Sequence, residues 1–166
     1  MANVTFKGEV WHTVGELPAV RTTAPNFTLT RQDLSAVHLK SFAGKTVILN
    51  VFPSLDTSVC AMSVRKFNEE AAKLPNAAVL CISQDLPFAS KRFCVAEGIK
   101  NVQVLSGFRH PEFGKTYGLF IVDGPLAGLL ARAVLVLDVN GVVQYTELVP
   151  EIAQEPNYAA AIAAVG

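Results

Sequence analysis

Two short segments, Thr46-Val47-Ile48-Leu49-Asn50-Val51-Phe52 and Ala78-Val79-Leu80-Cys81-Ile82-Ser83, are almost uniformly apolar and rich in branched side chains. A strand of that texture is covered on both faces, because a sheet with one wet face would alternate apolar and polar residues. Between them Cys60, Val64, Phe67, Ala71 and Leu74 recur in steps of four and three. That is the apolar stripe of an amphipathic helix, and Pro75-Asn76 ends it. Strand, helix and second buried strand form a crossover unit, with the two strands parallel and the connection right-handed.

The flanking sequence extends this unit in both directions. Val4-Thr5-Phe6 and Val10-Trp11-His12 around Lys7-Gly8-Glu9 read as an N-terminal hairpin, and Phe27–Thr30 with Val37–Leu39 as a second strand pair. Pro87 opens a second helix that closes near Gly98, Val102–Leu105 is a further strand, and Pro111–Tyr117 a short helix. Ala133–Asp138 and Val142–Tyr145 flank Asn140-Gly141, a two-residue hairpin signal. A helix over Glu155–Ala164 ends the chain. The order predicts an α/β fold of the thioredoxin-like kind: a mixed central sheet flanked by helices, with an added N-terminal β-hairpin. No repeat, linker or composition shift divides the 166 residues, so a single domain over 1–166 is expected.

Charge narrows the function classes. Fourteen basic and fourteen acidic residues cancel, which argues against a polybasic nucleic-acid surface. No apolar run approaches the roughly 18 residues of a membrane span, and the first residues lack a secretory signal. Three cysteines, an odd number without an export signal, argue against a disulfide framework. A cytoplasmic protein is expected. Cys60, Cys81 and Cys94 contain no C-x-x-C pair and no neighbouring His doublet, so neither a metal site nor a thioredoxin-type dithiol is indicated, and no cofactor is implied.

The three cysteines differ in setting. Cys81 lies within a buried strand and reads as core packing. Cys60 follows the strand-to-helix turn Pro53–Val59, with Asp56 or Thr57 as N-cap, so it falls in the first helical turn. Unpaired N–H groups and the helix dipole there favour a thiolate, while the Asp56 carboxylate opposes one. Position alone leaves Cys60 open between packing and reactivity. Cys94 has Ser90, Lys91, Glu97 and Gly98 three and four residues away, which places it on a polar, wet helix face like a thiol awaiting a partner. For a cation near Cys60, Arg132 leads. It begins the alternation Arg132, Val134, Val136, either paired at the mouth of a buried strand or snorkelling from its end. Arg65 and Arg109 are its rivals.

Pro53-x-x-x-Thr57-x-x-Cys60 resembles the active-site signature of the peroxiredoxins, and Phe52–Thr57 is similar to the version in their bacterial thiol peroxidase branch. Further likeness runs in order along nearly the whole chain. It includes Phe42–Lys45, Ser63–Asn68, Val79–Ser83, Asp85–Ala89, Arg92-Phe93-Cys94, Asp123–Leu126 and Ala131-Arg132-Ala133. The resemblance implies that Cys60 is the peroxidatic nucleophile and that Thr57 hydrogen-bonds thiolate and peroxide. Pro53 would shield the site from water, Arg132 activate the thiolate and hold the peroxide, and Cys94 resolve the sulfenic acid as an intrachain disulfide. It also implies thioredoxin as reductant, a homodimer, and hydroperoxides, organic ones among them, as substrates. A C-terminal resolving cysteine is excluded, since none follows Cys94.

Two other classes stand beside this one: a thioredoxin-fold redox scaffold without turnover, and a Cys-His hydrolase using His12, His38 or His110. If the two crossover helices share one sheet face, Cys60 facing the core and Cys94 facing out predict that a Cys60–Cys94 disulfide requires local unwinding.

Overall fold

A computed structural model describes residues 1–166. The strands are β1 (Asn3–Phe6), β2 (Glu9–His12), β3 (Thr28–Thr30), β4 (Ala36–His38), β5 (Thr46–Val51), β6 (Ala77–Ser83), β7 (Gln103–Ser106), β8 (Ala133–Leu137) and β9 (Val143–Leu148). The helices are α1 (Ser58–Ala71), α2 (Pro87–Glu97), α3 (Pro111–Thr116) and α4 (Tyr158–Ala163). A 3₁₀ turn at Leu39–Phe42 is the one helical element without a counterpart in the sequence reading.

Seven strands form one mixed sheet in the order β4-β3-β7-β6-β5-β8-β9. The centre, β5-β6-β7, is parallel, and β8 pairs antiparallel with β5. Parallel central strands need both faces covered, which is why their apolar runs do not alternate. Ile48, Val79, Cys81, Val134 and Val136 point to the face that holds α1, α2 and α4, while Val47, Leu49, Val51, Leu80 and Ile82 point to the other. That second face is closed by an aromatic cluster in which Phe27 meets Phe113 edge-on at 5.2 Å and Phe113 stacks on Tyr117 at 4.8 Å. The thioredoxin-like architecture expected from the element order is the one observed.

Local chemistry explains the boundaries. Gly98 ends α2 in the left-handed region at φ +66°, where a β-carbon is disfavoured. The last helix begins three residues later than expected, at Tyr158. Asn157 caps it by accepting the Ala160 N–H at 3.0 Å, and Pro156 lies outside the helix. The N-terminal hairpin forms its own two-stranded sheet. It is tied to the domain where the Thr5 N–H donates to the Pro150 carbonyl (2.7 Å) and the Ile152 N–H to the Thr5 carbonyl (2.8 Å). No helix is long and apolar enough to cross a membrane.

Candidate active site

Chain direction places the site. The strand β5 runs out at Val51, Phe52 continues its pairing by donating to the Ile82 carbonyl (3.1 Å), and the buried Pro53 turns the chain toward α1. Thr57 is the N-cap residue of α1, but its side chain does not cap the helix; its hydroxyl donates to the Ser54 carbonyl at 2.9 Å. The first intrahelical bond runs from Ala61 N–H to the Thr57 carbonyl (3.0 Å). The N–H groups of Ser58, Val59 and Cys60 therefore lack intrahelical partners and leave the helix end electropositive. Asp56, the rival cap, faces outward and pairs with Arg92 of α2 at 3.4 Å.

Cys60 is fully buried in the first turn of α1, and Arg132 Nη2 donates to its Sγ at 3.0 Å. Arg132 is itself 1% exposed and precedes β8 on the face shared by Val134 and Val136. Its Nε–H donates to the Ile152 carbonyl at 2.8 Å, and its Nη1 is buried without a partner. A buried guanidinium needs acceptors, and Arg132 meets two, the Cys60 sulfur and the Ile152 carbonyl, while its Nη1 stays unpartnered beside them. Of the two readings of Arg132, the paired one holds. The rivals are engaged elsewhere: Arg65 makes a two-pronged contact with Glu97 at 3.0 and 3.1 Å, and Arg109 lies over the Phe108 ring at 4.8 Å.

Cys94 corrects the sequence reading. It is only 8% exposed and belongs to the same apolar cluster as Cys60 and Cys81. The inward stripe of α2 is Pro87, Ser90 and Cys94, whose small side chains let the helix lie close to the sheet, whereas Phe88 and Val95 point outward. Apolar and polar residues occupy both sides of α2, so neighbour polarity does not identify its buried face. Glu97, part of the supposed wet face, is drawn to Arg65 of α1. The two thiols thus share one cluster rather than facing opposite ways, and all three cysteines are free.

Burial pushes the Cys94 thiol up, and the Gln32 amide, donating to its Sγ at 3.3 Å, pulls it partly back. Burial pushes Cys81 up to about 12, opposed by Asn50, whose amide reaches its Sγ at 3.7 Å. A thiol held protonated this way is a packing group, as its strand position suggested. Cys81→Ser should cost about 1–3 kcal/mol in urea unfolding, because a hydroxyl enters an apolar site, and leave any turnover that depends on Cys60 near wild type. Turnover stalled by Cys81→Ser would overturn the packing role.

Sequence reasoning missed Gln32 and the Ile152 carbonyl. The first lies 62 residues from the thiol it touches, and the second is a backbone group with no side-chain signature. The histidines pair away from the site: His12 with Asp123 (2.6 Å), His38 with Thr28 (2.8 Å) and His110 with Thr30 (3.0 Å). A Cys-His hydrolase has no base here. No group of three or more His, Cys, Asp or Glu side chains gathers as a metal ion would require.

Comparison with known proteins gives a consistent picture. Residues 19–162 match the Redoxin family model. The chain is 60% identical over 166 residues to a thiol peroxidase of Mycobacterium tuberculosis, covering 100% of this chain and 99% of that protein. It is 54% identical over 165 residues to a thiol peroxidase of Corynebacterium glutamicum, with 99% of each covered. Among solved structures, a peroxiredoxin-like protein from Aquifex aeolicus superposes with a TM-score of 0.94 at 40% identity, covering 99% of this chain and 96% of that one.

Proposed function

Because this chain belongs to the redoxin family and is a thiol-dependent peroxidase of the peroxiredoxin type, we propose that Cys60 attacks the peroxide and Cys94 resolves the product. The observation that carries this reading is the 3.0 Å contact from the buried Arg132 guanidinium to Cys60 Sγ, at a helix end with no side-chain cap. A positive charge and free N–H groups stabilise the negative sulfur that a nucleophile needs.

The chemistry balances in three steps. The Cys60 thiolate attacks one peroxide oxygen, an S–O bond forms as the O–O bond breaks, and the alkoxide or hydroxide leaves and takes up a proton. Sulfur is oxidised by two electrons and the peroxide reduced by two. In this reading Arg132 holds the peroxide oxygens as charge moves between them, a role its unpartnered Nη1 supports. Pro53, buried beside the turn, limits water, and the Thr57 hydroxyl, now donating to the Ser54 carbonyl, keeps lone pairs that accept a hydrogen bond from the peroxide O–H. Cys94 then displaces hydroxide from the sulfenic acid, giving a disulfide and water. A dithiol reductant, thioredoxin in this reading, exchanges with that disulfide and restores both thiols. Hydrogen peroxide and organic hydroperoxides are the substrates, and residues 1–166 act as one cytoplasmic domain paired as a homodimer.

Disulfide formation requires local unwinding, for a reason other than opposed thiol directions. Cys60 is the third residue of α1 and Cys94 the eighth of α2. Each therefore sits inside an intact helix against the same sheet face, and helices packed side by side keep their axes roughly 8–10 Å apart. Bridged cysteines need Cα atoms within roughly 7 Å. The Cys94→Ser protein should accumulate a trappable sulfenate at Cys60 after one equivalent of peroxide and lose thioredoxin-coupled turnover. In the wild type, amide exchange at 57–63 or 88–97 should rise on oxidation. Sustained turnover by Cys94→Ser, or equal protection in both redox forms, contradicts the proposed resolution.

A further inference from the structure

The segment Asp85–Ala89 takes no part in the chemistry above, yet its first residue reaches the turn that leads to Cys60. Asp85 sits between β6 and α2, half-buried, and no cation pairs with its carboxylate. Neutral donors hold it instead. The Ser54 hydroxyl donates to Oδ1 at 2.8 Å, and the Leu55 N–H and the Ser83 hydroxyl donate to Oδ2, each at 2.7 Å. Its own backbone is held too: its N–H donates to Ser83 Oγ at 3.2 Å, and the Ser106 hydroxyl donates to its carbonyl.

Two of those donors belong to the turn before α1. Ser54 passes the constraint on, because its Oγ accepts the Asp56 N–H at 3.1 Å and its carbonyl accepts both the N–H (3.2 Å) and the hydroxyl (2.9 Å) of Thr57. One residue, its carboxylate anchored on β6 by Ser83 and its carbonyl on β7 by Ser106, thereby fixes residues 54, 55, 56 and 57 in succession. Thr57 is the N-cap residue of the helix that bears Cys60. Several charge-assisted bonds of this length at the C-terminal ends of central strands are a means of placing a loop, since each is directional and short.

We propose that Asp85 is a positioning residue for peroxide attack: it holds the Pro53–Thr57 turn in the shape that the substrate must enter beside Cys60. This rests on Cys60 being the attacking thiol. It also explains why a carboxylate stands here without a cation. A partner Lys or Arg would compete for the oxygens that the turn uses.

The test compares Asp85→Asn, Asp85→Ala, Ser54→Ala and the Asp85→Ala/Ser54→Ala pair, with Cys60→Ser alongside. Rapid mixing gives the rate constant for peroxide attack on the reduced proteins. Alkylation of Cys60 by iodoacetamide, in a background where Cys81 and Cys94 are serine, reports a thiol that needs no peroxide geometry. Asp85→Ala is expected to slow peroxide attack by about 10²-fold, as a loop displaced by about 1 Å would, without slowing alkylation. Asp85→Asn keeps the shape but replaces one acceptor by a donor, and should lose about tenfold. The effects of Asp85→Ala and Ser54→Ala should be less than additive, since both break the same link.

A peroxide rate constant within twofold of wild type in Asp85→Asn and Ser54→Ala overturns the proposal. So does an equal fall in peroxide attack and alkylation, which marks a structural role only. Should Asp85→Ala fail to fold, the Asp85→Asn and Ser54→Ala rates decide alone. If Cys60→Ser still reduces peroxide, the site assignment fails; if it is inert and the Asp85 variants are unchanged, only the positioning role fails.

Discussion

Cys60→Ser should lower hydroperoxide turnover by at least about 10³-fold, a barrier increase of about 4 kcal/mol. A serine hydroxyl attacks only when a base removes its proton, and Arg132, a donor, is the one side chain hydrogen-bonded to the Cys60 sulfur. The pairing histidines and Asp85 are all committed to other partners. Without a base the hydroxyl stays protonated, and oxygen is a poorer nucleophile toward peroxide oxygen than a thiolate. The replacement is small and Arg132 still has an acceptor to meet, so the fold should persist, with unchanged far-UV circular dichroism. Peroxide reduction retained above a trace by a folded Cys60→Ser protein would remove Cys60 from the mechanism.

Replacing Arg132 should have the next largest effect. Arg132→Ala removes the donor to Cys60, the donor to the Ile152 carbonyl, and the free Nη1. Loss of one preorganised donor aimed at developing charge typically costs about 10²–10³-fold, so peroxide attack on the reduced enzyme should slow by at least that much. Alanine also leaves a void the size of the largest fully buried side chain, and a lower unfolding midpoint is expected with it. Arg132→Lys separates charge from geometry. An ammonium keeps the positive charge but cannot span Ile152 and Cys60 with one planar fork, so a loss of about tenfold or more should remain in a stable protein. Unchanged oxidation rates in both variants would transfer the cation's role elsewhere, although Arg65 and Arg109 are already held by Glu97 and Phe108.

Much of this architecture could be read from local patterns. The buried texture of 46–52 and 78–83, the helical stripe from Cys60 onward, Pro87 and Gly98 around α2, and Asn140-Gly141 in the β8–β9 hairpin each act within a few residues. Short-range sterics and periodicity decide such elements before the rest of the chain is placed. The same holds for Cys60 at a helix N-terminus, because the spacing from Pro53 sets it, and for Arg132 on the face of Val134 and Val136, because strand alternation sets it.

What the sequence alone determined about this protein, then, is the order of its elements, the pattern of its thioredoxin-like sheet and the placing of Cys60 one motif-length after Pro53 at a helix start. The tertiary structure decided which residues meet. Cys94 turned inward because packing against the sheet selected the small stripe Pro87, Ser90 and Cys94, and no count of polar neighbours along one helix contains that information. Gln32, the Ile152 carbonyl and the Asp85 carboxylate reach the site from 62, 20 and 30 residues away from the groups they contact. A hydrogen bond depends on direction and on tenths of an ångström, and between distant segments those are set only when the whole sheet has assembled.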